Sequence, residues 1–223
     1  MTRGCERGLS LVELMVGAAI GLIVVAAAGS VVTAHQAASR HVQLEARLMQ
    51  DLRSAAELVG RDLRRAGHWG AAASGVRQGD EPGAVNPHVA IAPASGPAGV
   101  VALSFATGAG DPLAIDDAER FGFRVRNGAI EVQLGDRNWQ ALSDPGTVVV
   151  TAFEVVPRVD ETDLATFCAR PCAAGSTTCP PRQQIRSYEI AVAGRSATDP
   201  LVRRELRSTV RVRNDVVVGS CEA

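Results

Sequence analysis

From Leu9 to Val32 the chain carries one charged residue, Glu13, and is otherwise apolar or small, interrupted only by Ser10, Gly17, Gly21, Gly29 and Ser30. A run of that kind is one membrane-spanning length, because a hydrocarbon core of ~30 Å needs ~20 residues of helix. A carboxylate at the fifth position of the run is costly, about 2.5 to 3.5 kcal/mol for an acidic residue mid-bilayer on insertion scales, so Glu13 needs a partner. Two ordinary readings stand beside a functional one. In the first, Arg3 and Arg7 form the basic end of a secretory signal peptide cleaved near Val32-Thr33-Ala34. Against it, the apolar run exceeds the roughly 7 to 15 residues of a signal core and holds a carboxylate. In the second, the run is a signal anchor for a periplasmic domain.

The residues around Glu13 carry a more specific pattern: a short basic leader ending in Arg7-Gly8, then Leu9-Ser10-Leu11-Val12-Glu13, all opening the apolar helix. It resembles the class III signal of type IV prepilins and type II secretion pseudopilins. Gly8, Ser10, Leu11, Val12 and Glu13 match position for position, and Leu9 stands where Phe is commonest. The resemblance implies that a membrane-embedded prepilin peptidase cuts between Gly8 and Leu9 and methylates the new amine of Leu9. It also implies that Glu13 meets the positive terminus of a neighbouring subunit during filament assembly. Electrostatics supports that role independently. Cleavage after Gly8 leaves an ammonium four residues from Glu13, and in hydrocarbon a paired ammonium and carboxylate are far less costly than two separate charges. Pairing between subunits would fix their stagger.

The formal net charge is −1, so no global field recommends nucleic acid or an acidic surface as partner. Every basic side chain apart from histidine is Arg. Of the five cysteines, Cys5 would leave with the leader, and Cys168, Cys172, Cys179 and Cys221 remain. An even number of cysteines in an exported domain reads as two disulfides, with three connectivities open. A bridge from Cys221 to the cluster would close a loop of about 40 residues, worth roughly 4 kcal/mol by chain entropy. Zinc is the rival reading, but the spacing is not C-x2-C and no His lies nearby.

Beyond Ala34 no Pro or Gly occurs until Gly60, and Leu44, Leu48, Leu52, Ala55, Val59, Leu63 and Ala66 recur at helical intervals with polar residues between. The spacing predicts an amphipathic continuation with one face for a globular domain. An unbroken helix from Leu9 to Ala66 would be about 87 Å long at 1.5 Å per residue, a stalk. Gly17 and Gly21 put small residues on one side of its membrane half, which lets helices approach in lipid. Asp62-Leu63-Arg64-Arg65-Ala66-Gly67-His68-Trp69-Gly70 supplies basic residues for a last turn and Gly for the stop. That segment is similar to the end of the helix in PilW-type minor pilins.

Residues 71–99 are rich in Ala, Gly and Pro and read as a connection over the surface. The rest is strand-like. Val100 to Ala106 is apolar; Phe121, Phe123 and Val125 alternate with polar residues, Asn127-Gly128 signals a type I′ turn, and Ile130, Val132 and Leu134 resume the alternation. Thr147 to Val156, Ile185 to Val192 and Leu206 to Val212 follow as strands. A period that switches from helix to strand for good argues an α+β class.

No catalytic pattern emerges: there is no G-x-S-x-G, P-loop or H-E-x-x-H. His35, His41, His68 and His88 are scattered and read as exposed or capping residues. Gly108-Ala109-Gly110-Asp111 completes no phosphate cradle. Asp160-Glu161-Thr162-Asp163 lacks the ligand spacing of a calcium loop and reads as a solvated turn, as do Asp116, Asp117 and Glu119. Arg203, Arg207, Arg211 and Arg213 would share one face of a strand opposite Leu206, Val210 and Val212. Such a basic stripe could meet nucleic-acid phosphates or acidic neighbouring subunits, although the aromatic residues of a single-strand platform are missing.

The expected architecture is α+β and pilin-like. Residues 1–8 are a cleaved leader, and 9–66 a helix whose span over about 9–32 crosses the membrane. Residues 67–99 are a connecting loop, and 100–223 an antiparallel β head with a disulfide loop. The resemblance implies a minor pilin of the PilW type that primes pilus assembly and supports adhesion and twitching motility. Its partners would be the prepilin peptidase, other minor and major pilins, and the inner membrane, with its head in the periplasm before assembly and outside the cell after it. The alternatives are a J-type pseudopilin of type II secretion and a pilus-tip binding module for DNA or surfaces. No catalytic residue, cofactor or metal is expected.

Overall fold

The computed structural model describes residues 10–76, 83–93, 99–108 and 113–222. Gly8 and Leu9, the positions expected to be cleaved and methylated, lie outside them, as do Ala109 to Asp111. The chain divides into two compact units, Met1–Leu44 and Glu45–Ala223. One helix, α1 (Leu11–Arg65), supplies the described part of the first unit and opens the second.

In the second unit the helical periodicity becomes a packed face. Leu48, Leu52, Ala55, Val59, Leu63 and Ala66 are buried, as is Ala56 beside them, while Leu44 is half-buried. Each buried Leu or Val contributes about 1.5 to 3 kcal/mol of transfer free energy. Two antiparallel sheets complete this unit. The first is a meander of β1 (Val100–Ser104), β2 (Arg120–Arg126), β3 (Ala129–Leu134) and β4 (Trp139–Ala141), in that order. Asn127 and Gly128 take φ of 52° and 76°, the left-handed pair that a type I′ turn requires. They set the register Phe121↔Leu134, Phe123↔Val132 and Val125↔Ile130, so the alternation read from sequence becomes cross-strand pairs.

The second sheet holds β5 (Val148–Asp163), β6 (Arg182–Ser196) and β7 (Arg203–Arg211), with β8 (Val216–Val218) also paired to β6. A bulge between Val150 and Ala152 changes which residues of β5 face inward: Val148 and Val150 before it, Phe153 and Val155 after it. The strand then runs past Val156 to Asp163, so Asp160, Glu161 and Asp163 lie on a strand rather than in a turn. Pro157 is tolerated there because β5 is the edge of its sheet. Leu52 of α1 lies against β6, where a Cβ on Gly194 would sit 3.2 Å from its Cδ2. The architecture is α+β, as the change of period implied.

Candidate functional site

Ser10 sets up the start of α1. Its hydroxyl oxygen accepts the amide of Val12 at 3.2 Å and its carbonyl accepts the amide of Leu14 at 3.1 Å, an N-cap arrangement. Ser10 and Glu13 also have the S-x-x-E spacing of a helix start, a signal present in the sequence. Glu13 lies in the first turn and is exposed, with no ion pair or hydrogen bond among the described residues. Around it the apolar side chains are exposed on every side of the helix, from Leu11 (76% exposed) through Val25 (68%) to Val32 (54%). By length and composition this helix can cross a membrane. A Cβ added at Gly17 or Gly21 would meet nothing within 4 Å, so this chain's own packing does not require glycine there.

At the other end of α1 the last carbonyls have no partner inside the helix and must find one elsewhere. Two separate segments supply the donors. The carbonyl of Arg64 accepts the amide of Arg213 at 3.2 Å, that of Ala66 accepts Asn214 Nδ2 at 3.0 Å, and that of Gly67 accepts Asn86 Nδ2 at 2.9 Å. Gly67, at φ 75°, turns the chain so that its amide donates to the carbonyl of Ser104 at 3.0 Å. The carbonyl of His68 then accepts the amide of Ala106 at 2.9 Å. Arg65 lies over the ring of Phe105, 4.2 Å from its centroid, and Phe105 stacks on Phe121. The helix end is thus clasped to both sheets.

Arg186 and His88 lie inside this clasp, and both are buried. Arg186 Nη1 donates to the carbonyl of Val89 at 2.6 Å and Nη2 to that of Asn214 at 3.1 Å. Peptide dipoles therefore take the place of a carboxylate beside a buried cation. On the same strand, burial pushes the Tyr188 phenol up, against the opposing charge of Arg186. His88 was expected to be exposed or capping. Instead its side chain is 1% exposed and its Nε2 lies 3.7 Å from Glu119 Oε2. Burial holds its imidazole below the ordinary histidine range, with Glu119 raising it and His68 lowering it. Glu119 is also not a solvated turn residue, because it is 3% exposed and caps the short turn Asp117–Glu119.

Cys168 is disulfide-bonded to Cys221 and Cys172 to Cys179, which leaves no thiolate in that cluster for zinc. The loop between β5 and β6 is stapled internally by one bridge and to the C-terminal segment by the other.

The arginine stripe is corrected in two ways. Arg203, Arg207 and Arg211 lie exposed on β7 as expected, but Arg213 lies beyond its end, and Arg207, Arg211 and the neighbouring Arg204 are matched by acids of the same head. Arg207 pairs with Glu189 at 3.1 Å and Glu205 at 2.7 Å, Arg211 with Asp215 at 2.9 Å, and Arg204 with Glu45 of α1 at 2.5 Å. Hydrogen bonds from Arg207 and Arg158 hold the Glu189 carboxyl below the usual range, and Glu189 with Glu205 raises Arg207. Glu161 likewise pairs with Arg182 at 3.6 Å, and Asp163 Oδ1 accepts the amide of Ala165 at 2.6 Å.

Comparison with known proteins finds two family matches. Residues 41–212 match the family described as prepilin peptidase-dependent protein B, and residues 3–29 match the prokaryotic N-terminal methylation motif. No curated protein and no solved structure matches the chain.

Proposed function

This chain belongs to the prepilin peptidase-dependent protein B family, and from that premise we propose that it is a minor pilin that primes assembly of a type IV pilus. The observation that carries the reading is the exposed, apolar start of α1 with its single carboxylate, Glu13, unpaired among the described residues and inside the matched methylation motif. In this reading the peptidase removes residues 1–8 and methylates Leu9, and the helix holds the head on the periplasmic side of the inner membrane. Glu13 then pairs with the Leu9 ammonium of the adjoining subunit as both leave the bilayer. Gly17 and Gly21 leave room for that neighbour's helix. The PilW-type assignment rests on the Asp62 to Gly70 segment, and adhesion and twitching motility are the activities such a subunit would support. The protein is the substrate of an enzyme and not itself one. Cys168, Cys172, Cys179 and Cys221 serve to stabilise the head.

The experiment is deletion of the gene with complementation, reading sheared surface pili, twitching zones and secretion of type II substrates in parallel. Loss of pili and twitching with secretion intact supports the minor-pilin reading. Loss of secretion with pili intact would replace it with the J-type pseudopilin reading. Loss of attachment or DNA uptake with piliation intact would assign a tip-binding role instead.

A further inference from the structure

β1 is an edge strand of the first sheet, and residues 83–93 cover part of that edge. Ala92 and Ala102 exchange both backbone hydrogen bonds, at 2.8 and 3.1 Å. The short turn Pro87–Val89, which carries His88, packs against β1. Asn86 fastens one end of this segment to the Gly67 carbonyl, and Arg186 fastens Val89. His88 is its buried centre.

Burial makes the surroundings of His88 favour the neutral ring, against the pull of Glu119. Its Nδ1 is buried with no hydrogen-bond partner among the described residues. Its Nε2 lies 3.7 Å from Glu119 Oε2, beyond hydrogen-bond range. Both oxygens of Glu119 are already engaged, Oε1 by the amide of Thr107 at 2.9 Å and Oε2 by that of Asp116 at 3.3 Å. The other charged or titratable groups around it are cationic or become so, namely His68 after the helix and Arg186 on β6, which holds the adjoining carbonyl. β1 contributes no titratable side chain. A proton on this ring would bury a cation whose Nδ1–H meets no acceptor among the described residues, offset only in part by the Glu119 carboxylate at 3.7 Å.

We propose that His88 is a proton-operated latch: its protonation releases residues 83–93 from β1 and opens that strand's outer edge. The sign follows from linkage. Burial holds the closed form's imidazole below its ordinary value, so the released form takes the proton first as pH falls below about 6.5. The latch is closed above that pH and loosens as pH drops from there towards the closed form's own titration. An uncovered edge exposes the amide and carbonyl of Ala102 to an added strand.

The test is hydrogen exchange on the full-length chain in detergent micelles at pH 7.5 and 5.0, with intrinsic rates divided out. Protection of the Ala92 and Ala102 amides should fall at pH 5.0 by up to about 30-fold, the bound for one imidazole of ordinary pKa in the released form, while β6 amides hold. In wild-type protein the fall should coincide with titration of the His88 ring followed by NMR. A folded His88→Gln variant should lose the pH dependence. Unchanged protection of Ala102 in wild type, an equal fall in β6, or a fall that persists in His88→Gln would overturn the latch.

Discussion

Asn214 Nδ2 donates to the carbonyl of Ala66 at 3.0 Å, joining residues 148 apart in sequence. The bond satisfies a carbonyl just past the last turn of α1, and the carbonyl of Asn214 in turn accepts from Arg186. Asn214→Ala leaves the Ala66 carbonyl buried without its partner, which costs about 1 to 3 kcal/mol. A fall in Tm of several degrees, measured by circular dichroism, is expected.

Gly67 stands at φ 75°, and a Cβ there would lie 3.3 Å from Arg186 Nη2. Gly67→Ala combines left-handed strain of about 1 to 2 kcal/mol with pressure on the buried guanidinium. It should destabilise the head more than alanine at an exposed position of α1 such as Arg47. Parallel urea titrations check this through their midpoints.

The two disulfides close loops of different size, with sequence separations of 53 and 7. Chain entropy assigns about 4 kcal/mol to the longer bridge and about 2.5 kcal/mol to the shorter. Replacing Cys168 and Cys221 together by Ser should therefore lower stability more than replacing Cys172 and Cys179. Denaturant unfolding of the two double variants gives the comparison, and equal losses would contradict it.

Glu13→Val removes the only charge of the apolar run, so membrane insertion should hold or improve by roughly 2 to 3 kcal/mol on insertion scales. Incorporation into filaments should be lost. Carbonate extraction of membranes reads the first effect, and immunoblotting of sheared pili reads the second. Normal incorporation of the variant would remove Glu13 from the assembly account.

What could be read from the sequence was local. Asn127-Gly128 specifies its turn through two adjacent residues, and the buried face from Leu48 to Ala66 repeats at the helical period. β4 and β8 escaped because strands of three residues show no period. The far half of β5 escaped because Pro157 and three acids within four residues resemble a turn until β6 pairs with them. The clasp was illegible for a different reason. Asn86, His88, Arg186 and Asn214 are ordinary polar residues in three distant segments, and only folding brings them to one helix end. The same distance concealed Glu45 and Glu189, which pair with Arg204 and Arg207 of β7.

The measurement that bears most directly on the central claim is intact-protein mass spectrometry of the membrane form from cells with and without a functional prepilin peptidase. The account expects loss of Met1 through Gly8 and one added methyl on Leu9, both dependent on the peptidase. An uncut N-terminus, or cleavage near Ala34 whether or not the peptidase is present, would contradict it.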